Sequence, residues 1–150
     1  MSQENDFEIL DFIPYLMAQA ADALSVEFQH YYKSKYGMLR TEWRVLFHLG
    51  SYGDMTARDI CIRASLHKTK VSRAVAALEK KRFLSRQELE SDRRAAVLSL
   101  TRSGKSAFAE LREAARAYDA KIRTDMTPEE NKVLSAWLVR VAGLNTRDAV

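Results

Sequence analysis

Residues 67–81 carry the side chains best suited to a functional role, because basic and hydroxyl groups there alternate with an apolar stripe. Val71, Val75 and Leu78 recur at steps of four and three, which predicts a helix that buries this stripe. The opposite face then presents short polar and basic side chains: Lys68, Thr69, Lys70, Ser72 and Arg73. These types suit the major groove of DNA, where Arg73 is expected to pair with guanine and the others to meet bases or phosphates. A solvated helix face is the alternative, and one such helix taken alone favours it.

A second basic group, Asp92-Arg93-Arg94, lies between two short apolar runs at 83–89 and 95–100. The runs predict two strands, and residues 90–94 then form the charged tip of a hairpin. An arginine that projects from such a tip can enter the minor groove of DNA, with Asp92 orienting it through a carboxylate–guanidinium bond. A tip that merely keeps the surface soluble explains the pattern equally well.

The distribution of charge helps to decide between these interpretations. Residues 56–105 hold 13 Lys or Arg against 5 Asp or Glu, whereas the whole chain has a net charge of only +4. The other 100 residues therefore sum to −4. Positive charge is concentrated in the segment that contains both basic groups, which favours a polyanionic partner such as double-stranded DNA.

The elements around these groups predict a winged helix-turn-helix. Apolar residues at helical spacing indicate a long helix from Asp11, its expected cap, to about Tyr36, with Pro14 in the first turn. Further helices are expected to begin at threonines: Thr41, Thr56, Thr101 and Thr127. A lone hairpin is unstable in water, so it must pack on the three short helices before it. The predicted fold is therefore mainly α with one β-hairpin wing.

Broad apolar stripes on the first and last helices predict a homodimer. The stripes include Tyr15, Leu16, Phe28, Tyr31, Trp137 and Leu138, and the last helix is expected to bury Val133, Leu134, Trp137, Leu138, Val141 and Leu144. A small winged core cannot cover both ends of the chain, whereas a second copy can. A two-fold dimer would place its two recognition helices ~34 Å apart, about one turn of DNA. A compact monomer is the alternative.

Three segments resemble the multiple-antibiotic-resistance regulator (MarR) family: Thr41-Glu42-Trp43-Arg44-Val45-Leu46, Leu78-Glu79-Lys80-Lys81-Arg82-Phe83-Leu84, and Ser91-Asp92-Arg93-Arg94-Ala95 through Leu98-Ser99-Leu100-Thr101-Arg102-Ser103-Gly104. The resemblance extends from Phe12 to Leu144. It implies one domain over 1–150, with dimerisation helices at about 11–36 and 101–147 and a DNA-binding lobe at about 41–100. It also implies an obligate homodimer on pseudo-palindromic DNA, and repression relieved by a small aromatic or phenolic ligand or its thioester. The matching DNA contacts are Lys68, Thr69, Ser72, Arg73, Arg93 and Arg94.

The resemblance also implies a ligand site where the dimerisation helices meet the DNA-binding lobe. Its candidate residues are Tyr15, Trp43, Arg44, Phe47 and His48. Arg44 would meet a ligand carboxylate and the aromatic side chains its ring. Plain core packing is the alternative for Trp43 and Phe47, since both recur at helical spacing.

Two positions depart from the family pattern. Arg82 stands where the family commonly has glycine, and a positive φ there would cost about 1 kcal/mol. The peroxide-responsive branch of the family has a reactive cysteine near the start of the first helix, whereas the single cysteine here is Cys61 in the short third helix. A buried structural thiol is therefore expected rather than a redox sensor.

Other function classes find little support in the sequence. Neither His-x-x-x-His nor Cys-x-x-Cys occurs, so no metal or other cofactor is expected, and no nucleophile–base pair or phosphate loop suggests an enzyme. Residues 1–11 hold four acidic residues and no Lys or Arg, unlike a secretory signal. No apolar run approaches the ~20 residues that span a bilayer, so a cytoplasmic protein is expected. An adaptor that keeps the winged fold without binding DNA remains the alternative to a regulator.

Overall fold

A computed structural model of the chain describes residues 7–144, except for the side chains of residues 92–94. One short 3₁₀ turn, Ile9–Asp11, precedes the first α-helix. The helices are α1 (Ile13–Tyr36), α2 (Arg40–Tyr52), α3 (Ala57–Ala64), α4 (Lys68–Lys80), α5 (Arg102–Arg123) and α6 (Pro128–Val141). The strands are β1 (Met55–Thr56), β2 (Leu84–Leu89) and β3 (Asp92–Leu100). The predicted class, mainly helical with a winged helix-turn-helix, is confirmed.

Threonine caps fix where three of the helices begin, as the sequence predicts. Thr56 accepts the N–H of Asp59 at 3.2 Å, while the Asp59 carboxylate accepts the N–H of Thr56 at 3.1 Å. Thr127 and Glu130 make the same reciprocal pair at the start of α6. At α5, the hydroxyl of Thr101 accepts the N–H of Gly104 at 3.0 Å. Each cap satisfies donors that have no partner inside the helix.

The caps predicted for the first two helices are wrong. Asp11 belongs to the 3₁₀ turn, and α1 begins after Phe12, which provides no side-chain cap. Pro14 nevertheless lies in the first helical turn, where its missing N–H costs nothing. Helix α2 begins at Arg40 rather than Thr41, because Glu42 folds back to accept the N–H of Leu39 at 2.8 Å.

The sheet has three strands in the order β1-β3-β2, so the predicted hairpin is incomplete. The third strand, β1, pairs antiparallel to β3 through Met55 opposite Leu98 and Thr56 opposite Val97. Two residues are too short to show the alternation that identifies a strand in sequence. The hairpin is also tighter than expected, since β3 begins at Asp92 and only Glu90 and Ser91 form the turn.

The core joins the inner faces of α2, α3 and α4 to the sheet and to parts of α1 and α5. Its fully covered side chains include Tyr32, Met38, Leu46, Ile60, Leu78, Leu98 and Leu111. Phe28, predicted to lie on an unpartnered stripe, is instead buried against the rings of Tyr32, Trp43 and Tyr118. The C-terminal half of α1 is therefore part of the core.

The two ends of the chain remain largely uncovered within one protomer. The prediction that α6 buries its apolar stripe is wrong for the single chain, because these side chains are exposed: Val133, Leu134, Leu138, Val141 and Leu144. Trp137 is half-buried. On α1, Ile13 and Leu16 are exposed in the same way. The core thus stops short of α6 and of the N-terminal half of α1.

Candidate nucleic-acid interface and an adjoining aromatic cavity

Helix α4 divides cleanly into a buried face and an exposed basic face. Val71, Ala74, Val75 and Leu78 are buried against the lobe. The five predicted contact residues of this helix are all exposed: Lys68, Thr69, Lys70, Ser72 and Arg73. The structure thus leaves the predicted DNA-contacting face of the helix uncovered.

The N-terminus of α4 is set by the turn that follows α3. Ser65 adopts a left-handed conformation, with φ 51°, and ends α3. The ring of His67 then caps α4, with Nδ1 accepting the N–H of Thr69 at 3.2 Å. This arrangement places Lys68 and Thr69 in the first turn, at the end of the helix where exposed amides and the helix dipole favour anions.

The wing is anchored beside this helix by β2. Arg86 of β2 donates to the carboxylate of Glu79 on α4 at 2.9 Å. The β2–β3 register shifts between Glu88 and Leu89, next to the turn. The predicted wing contacts Asp92, Arg93 and Arg94 have their backbone in β3, but their side chains lie outside the described part of the chain, so their contacts stay a prediction.

An aromatic cavity of about 310 Å³ opens between α1, α2 and α5. Its walls are Leu24, Ser25, Phe28, Tyr32, Arg40, Trp43, Ala115, Tyr118, Asp119 and Ile122. The Nε1 of Trp43 is buried, and it has no hydrogen-bond partner among residues 7–144. A buried donor without a partner costs about 1–3 kcal/mol.

Comparison with known proteins shows what this chain resembles. Residues 36–95, from the end of α1 to the middle of β3, match the model of the MarR family, a match that covers 60 of the 150 residues. The chain is 29% identical over 124 residues to the helix-turn-helix transcriptional regulator YwaE of Bacillus subtilis, a match that covers 83% of this chain and 72% of YwaE.

Solved structures share the fold of this chain. A MarR/EmrR family regulator from Acinetobacter sp. ADP1 is 23% identical, with a TM-score of 0.81 over 91% of this chain and 96% of its own. BpsR of Bordetella bronchiseptica, whose DNA binding is regulated by 6-hydroxynicotinic acid, has a TM-score of 0.81 at 16% identity, over 93% and 99% of the two chains. These relatives are transcriptional regulators.

The five predicted ligand residues of this protein are not brought together. Trp43 lines the cavity, but Tyr15, Arg44, Phe47 and His48 do not. Arg44 points toward α3 instead and donates to the carbonyl oxygen of Ala64 at 2.6 Å. Phe47 packs between the rings of Trp43 and Phe108, as the core alternative expects.

His48 also has a local role in α2. Its Nδ1 lies 2.7 Å from the carbonyl oxygen of Arg44, to which the protonated nitrogen donates. Burial lowers the pKa of His48 below its ordinary value, and the positive charges of Arg44 and Arg63 act in the same direction. Burial likewise lowers the pKa of Arg44. Arg44 therefore ties α2 to α3, His48 bonds within α2, and neither side chain lines the cavity.

Sequence reasoning missed the cavity residues that come from α5 and from the first turn of α2. Tyr118 donates from its hydroxyl to the carbonyl oxygen of Leu24 at 2.9 Å, which ties α5 to α1. Lys121 and Glu27 pair beside it at 2.8 Å. Arg40 and Asp119 stand at the rim. No local pattern marks these positions, because the cavity is assembled from helices that are far apart in the sequence.

Cys61 is half-buried rather than fully buried, so the predicted burial of this thiol is only partly right. It lines a crevice between α3, α4 and the sheet, together with Arg58 and Val75. Among the described side chains, no group of three His, Cys, Asp or Glu residues is placed to hold a metal ion. No helix within residues 7–144 is long and apolar enough to cross a bilayer.

Proposed function

We propose that this protein is a MarR-family regulator: a cytoplasmic, homodimeric repressor that binds pseudo-palindromic double-stranded DNA and is released by a small aromatic or phenolic ligand or its thioester. The observation that carries the proposal is the exposed basic face of α4. The residues of that face belong to the segment with 13 Lys or Arg against 5 Asp or Glu. BpsR, which shares the fold, is a DNA-binding protein regulated by an aromatic acid, and this supports both parts of the proposal.

Each DNA contact has a distinct chemical role in this proposal. Arg73 projects into the major groove and pairs with guanine, because its planar guanidinium can donate to O6 and N7 together. Lys68 and Lys70 neutralise phosphates, and Thr69 and Ser72 donate to bases or phosphates within reach of the first helical turns. The wing residues Asp92, Arg93 and Arg94 contribute in the minor groove.

The test of DNA binding starts from an operator selected from random duplexes. Wild-type affinity is expected to fall with salt at a log–log slope of about −0.9 for each phosphate contact. Arg73→Ala should weaken operator binding roughly 5- to 150-fold, as expected for loss of a bidentate base contact, and relax sequence preference. Arg116→Ala, which removes an exposed arginine of α5, is the matched control and should leave affinity unchanged.

Two results would contradict this part of the proposal. Equal losses on operator and random duplexes would reduce Arg73 to a phosphate contact. Wild-type protein that binds no duplex even in dilute buffer would instead favour an adaptor that keeps the winged fold.

The homodimer rests on apolar surface at both ends of the chain. Ile13, Leu16, Val133, Leu134 and Val141 are all exposed in one protomer. Burying such side chains against a second copy gains about 25 cal/mol per Å² of apolar area, which water would otherwise cover. Helices 11–36 and 101–147 would form the interface, and the lobe at 41–100 would reach DNA.

Oligomeric state tests this interface directly. Leu138→Glu places a charge on the exposed stripe of α6 and is expected to yield monomers in sedimentation velocity experiments. Ile62→Glu is the matched control, because Ile62 is 68% exposed on α3, away from the proposed interface. Wild-type protein that sediments as a monomer would contradict the proposed dimer.

The aromatic cavity is the proposed effector site. A volume of about 310 Å³ suits a single-ring ligand, at the lower end of the usual range for small-molecule pockets. Rings from Phe28, Tyr32 and Tyr118 would stack on the ligand, with Trp43 beside them in the cavity wall. Arg40, which lines the cavity and lies 3.5 Å from Asp22, would meet a ligand carboxylate, the role that the sequence predicted for Arg44.

Tryptophan fluorescence can test this site, because the chain contains only Trp43 and Trp137. In Trp137→Phe, titration with 4-hydroxyphenylacetate and 6-hydroxynicotinate should change the remaining emission, which then comes from Trp43 alone. Trp43→Phe is the control and should give no saturable change. A saturable response in Trp43→Phe alone would move the ligand site to α6.

A further inference from the structure

The turn that joins the recognition helix α4 to the wing is held from two sides. On one side, Lys81 donates to Glu42 of α2 at 2.6 Å. On the other, Thr101 at the start of α5 donates from its hydroxyl to the carbonyl oxygen of Arg82 at 2.6 Å and from its N–H to that of Phe83 at 3.0 Å. A movement of α2 relative to α5 must therefore act on this turn.

Glu42 is the critical member of these contacts because it is a charged side chain that the fold buries, with only 4% of its surface exposed. Both of its oxygens are engaged: Oε1 by Lys81 and Oε2 by the N–H of Leu39. Breaking a buried ion pair leaves an uncompensated charge, so Glu42 and Lys81 must move together. The C-terminal end of α4 is thereby fixed to the first turn of α2.

The same two helices form opposite walls of the aromatic cavity. Arg40 and Trp43 of α2, which flank Glu42 in sequence, line one wall, and Tyr118 of α5 lines another. Arg44, the next residue after Trp43, holds the end of α3 through Ala64. Helix α2 thus holds both helices of the helix-turn-helix within one turn of the cavity, whereas α5 holds the start of the wing.

We infer that Glu42 is a positioning residue that transmits the state of the cavity to the recognition helix through Lys81. An occupant that shifts α2 against α5 would carry α4 with α2, because the buried pair joins them, while Thr101 holds the strand side of the turn. This inference rests on the proposed function, since it concerns how the effector cavity controls DNA binding. It adds residues that touch neither DNA nor ligand.

The test replaces the ligand with a side chain that fills the cavity. Ala115→Leu adds a larger side chain from the α5 wall, and Ser25→Leu does so from the α1 wall. Each is measured for operator affinity at fixed salt, alone and combined with Glu42→Gln, which keeps an acceptor for Leu39 but removes the charge. Glu79→Gln is the matched control, because Glu79 pairs with Arg86 on the surface of α4. Circular dichroism checks that every variant folds.

Either filling variant is expected to weaken operator binding about fivefold or more, the lower limit of typical allosteric coupling. In the Glu42→Gln background the same substitution should change affinity less than twofold, whereas in the Glu79→Gln background the fivefold effect should persist. Lys81→Arg, which keeps the positive charge, should also preserve the effect.

Additive effects of Glu42→Gln and the filling substitution would overturn the inference, as would folded filling variants that bind the operator like wild type. If Ala115→Leu does not fold, Ser25→Leu decides the question. Wild-type protein that binds no duplex would contradict the proposed function itself. If the protein binds DNA but the effects of Glu42→Gln and the filling substitution are additive, only the role of Glu42 is overturned.

Discussion

Substitution of Gly104 by alanine tests the close contact between α5 and the turn before the wing. A β-carbon at this position would overlap the carbonyl oxygen of Phe83 and would stand 2.9 Å from its carbonyl carbon. Ordinary contacts between such atoms are about 3.5–4.0 Å. The obstacle is backbone rather than a side chain that can rotate away, so α5 and the turn must separate.

The cost of Gly104→Ala can be assembled from its parts. Overpacking costs about 1–3 kcal/mol. The two hydrogen bonds from Thr101 to Arg82 and Phe83 are worth about 1 kcal/mol each if the turn moves away. Alanine has a higher helix propensity than glycine, which offsets up to about 1 kcal/mol of this loss. The expected net loss is about 3 kcal/mol in the free energy of unfolding, or roughly 6–12 °C in Tm.

Urea denaturation followed by circular dichroism at 222 nm measures this loss, at one fixed protein concentration because association adds to stability. Ser106→Ala is the control, since Ser106 is exposed on the same helix and should change the free energy of unfolding by less than about 0.5 kcal/mol. A loss below about 1 kcal/mol in Gly104→Ala would refute the reasoning, because it would mean that the turn adjusts without breaking its contacts with α5.

Two further predictions follow from backbone conformation and burial. Arg82 has φ 64°, so Arg82→Gly should raise the free energy of unfolding by up to about 1 kcal/mol in urea denaturation. The control Lys80→Gly, in α4, should lower it by about 1 kcal/mol. A lower free energy of unfolding in Arg82→Gly would contradict the proposed backbone strain. Because burial lowers the pKa of His48 in the folded state, the unfolded state binds the proton more readily, and the free energy of unfolding should fall as the pH drops below about 6.5. His48→Gln should flatten this pH dependence, whereas the control His30→Gln, at an exposed position, should not. If the free energy of unfolding of His48→Gln varies with pH as in the wild type, the pH dependence belongs to other groups.

Local signals in the sequence predict much of the fold. Helices begin after Thr56, Thr101 and Thr127 because each threonine hydroxyl accepts the N–H three residues later, which has no partner inside the helix. The exposed face of α4 follows from Val71, Val75 and Leu78 by helical geometry alone. The positive φ of Arg82 was also foreseeable, since the resemblance places glycine there.

Features that depend on contacts between distant parts of the chain could not be predicted from the sequence. The two-residue strand β1 exists only because β3 lies beside it, and Glu42 is buried in an ion pair with a residue 39 positions later. Arg40 lines the cavity, whereas Arg44, four residues later on the same helix, bonds to α3; the sequence cannot tell which of the two arginines takes which position. Burial of Phe28 depends likewise on Tyr118 from the other end of the chain.

Helix α1 has its C-terminal half in the core and its N-terminal half exposed, so a rotation of the helix at one end displaces the other end. Its 24 residues span about 36 Å without interruption. A tilt of only about 5° at the exposed end would displace the buried end by about 3 Å, close to the 3.4 Å separation of neighbouring base pairs. In the proposed complex with DNA, the contacts of Ile13 and Leu16 would therefore set the position of the lobe to about one base-pair step, and loose packing at these residues would leave that position poorly defined.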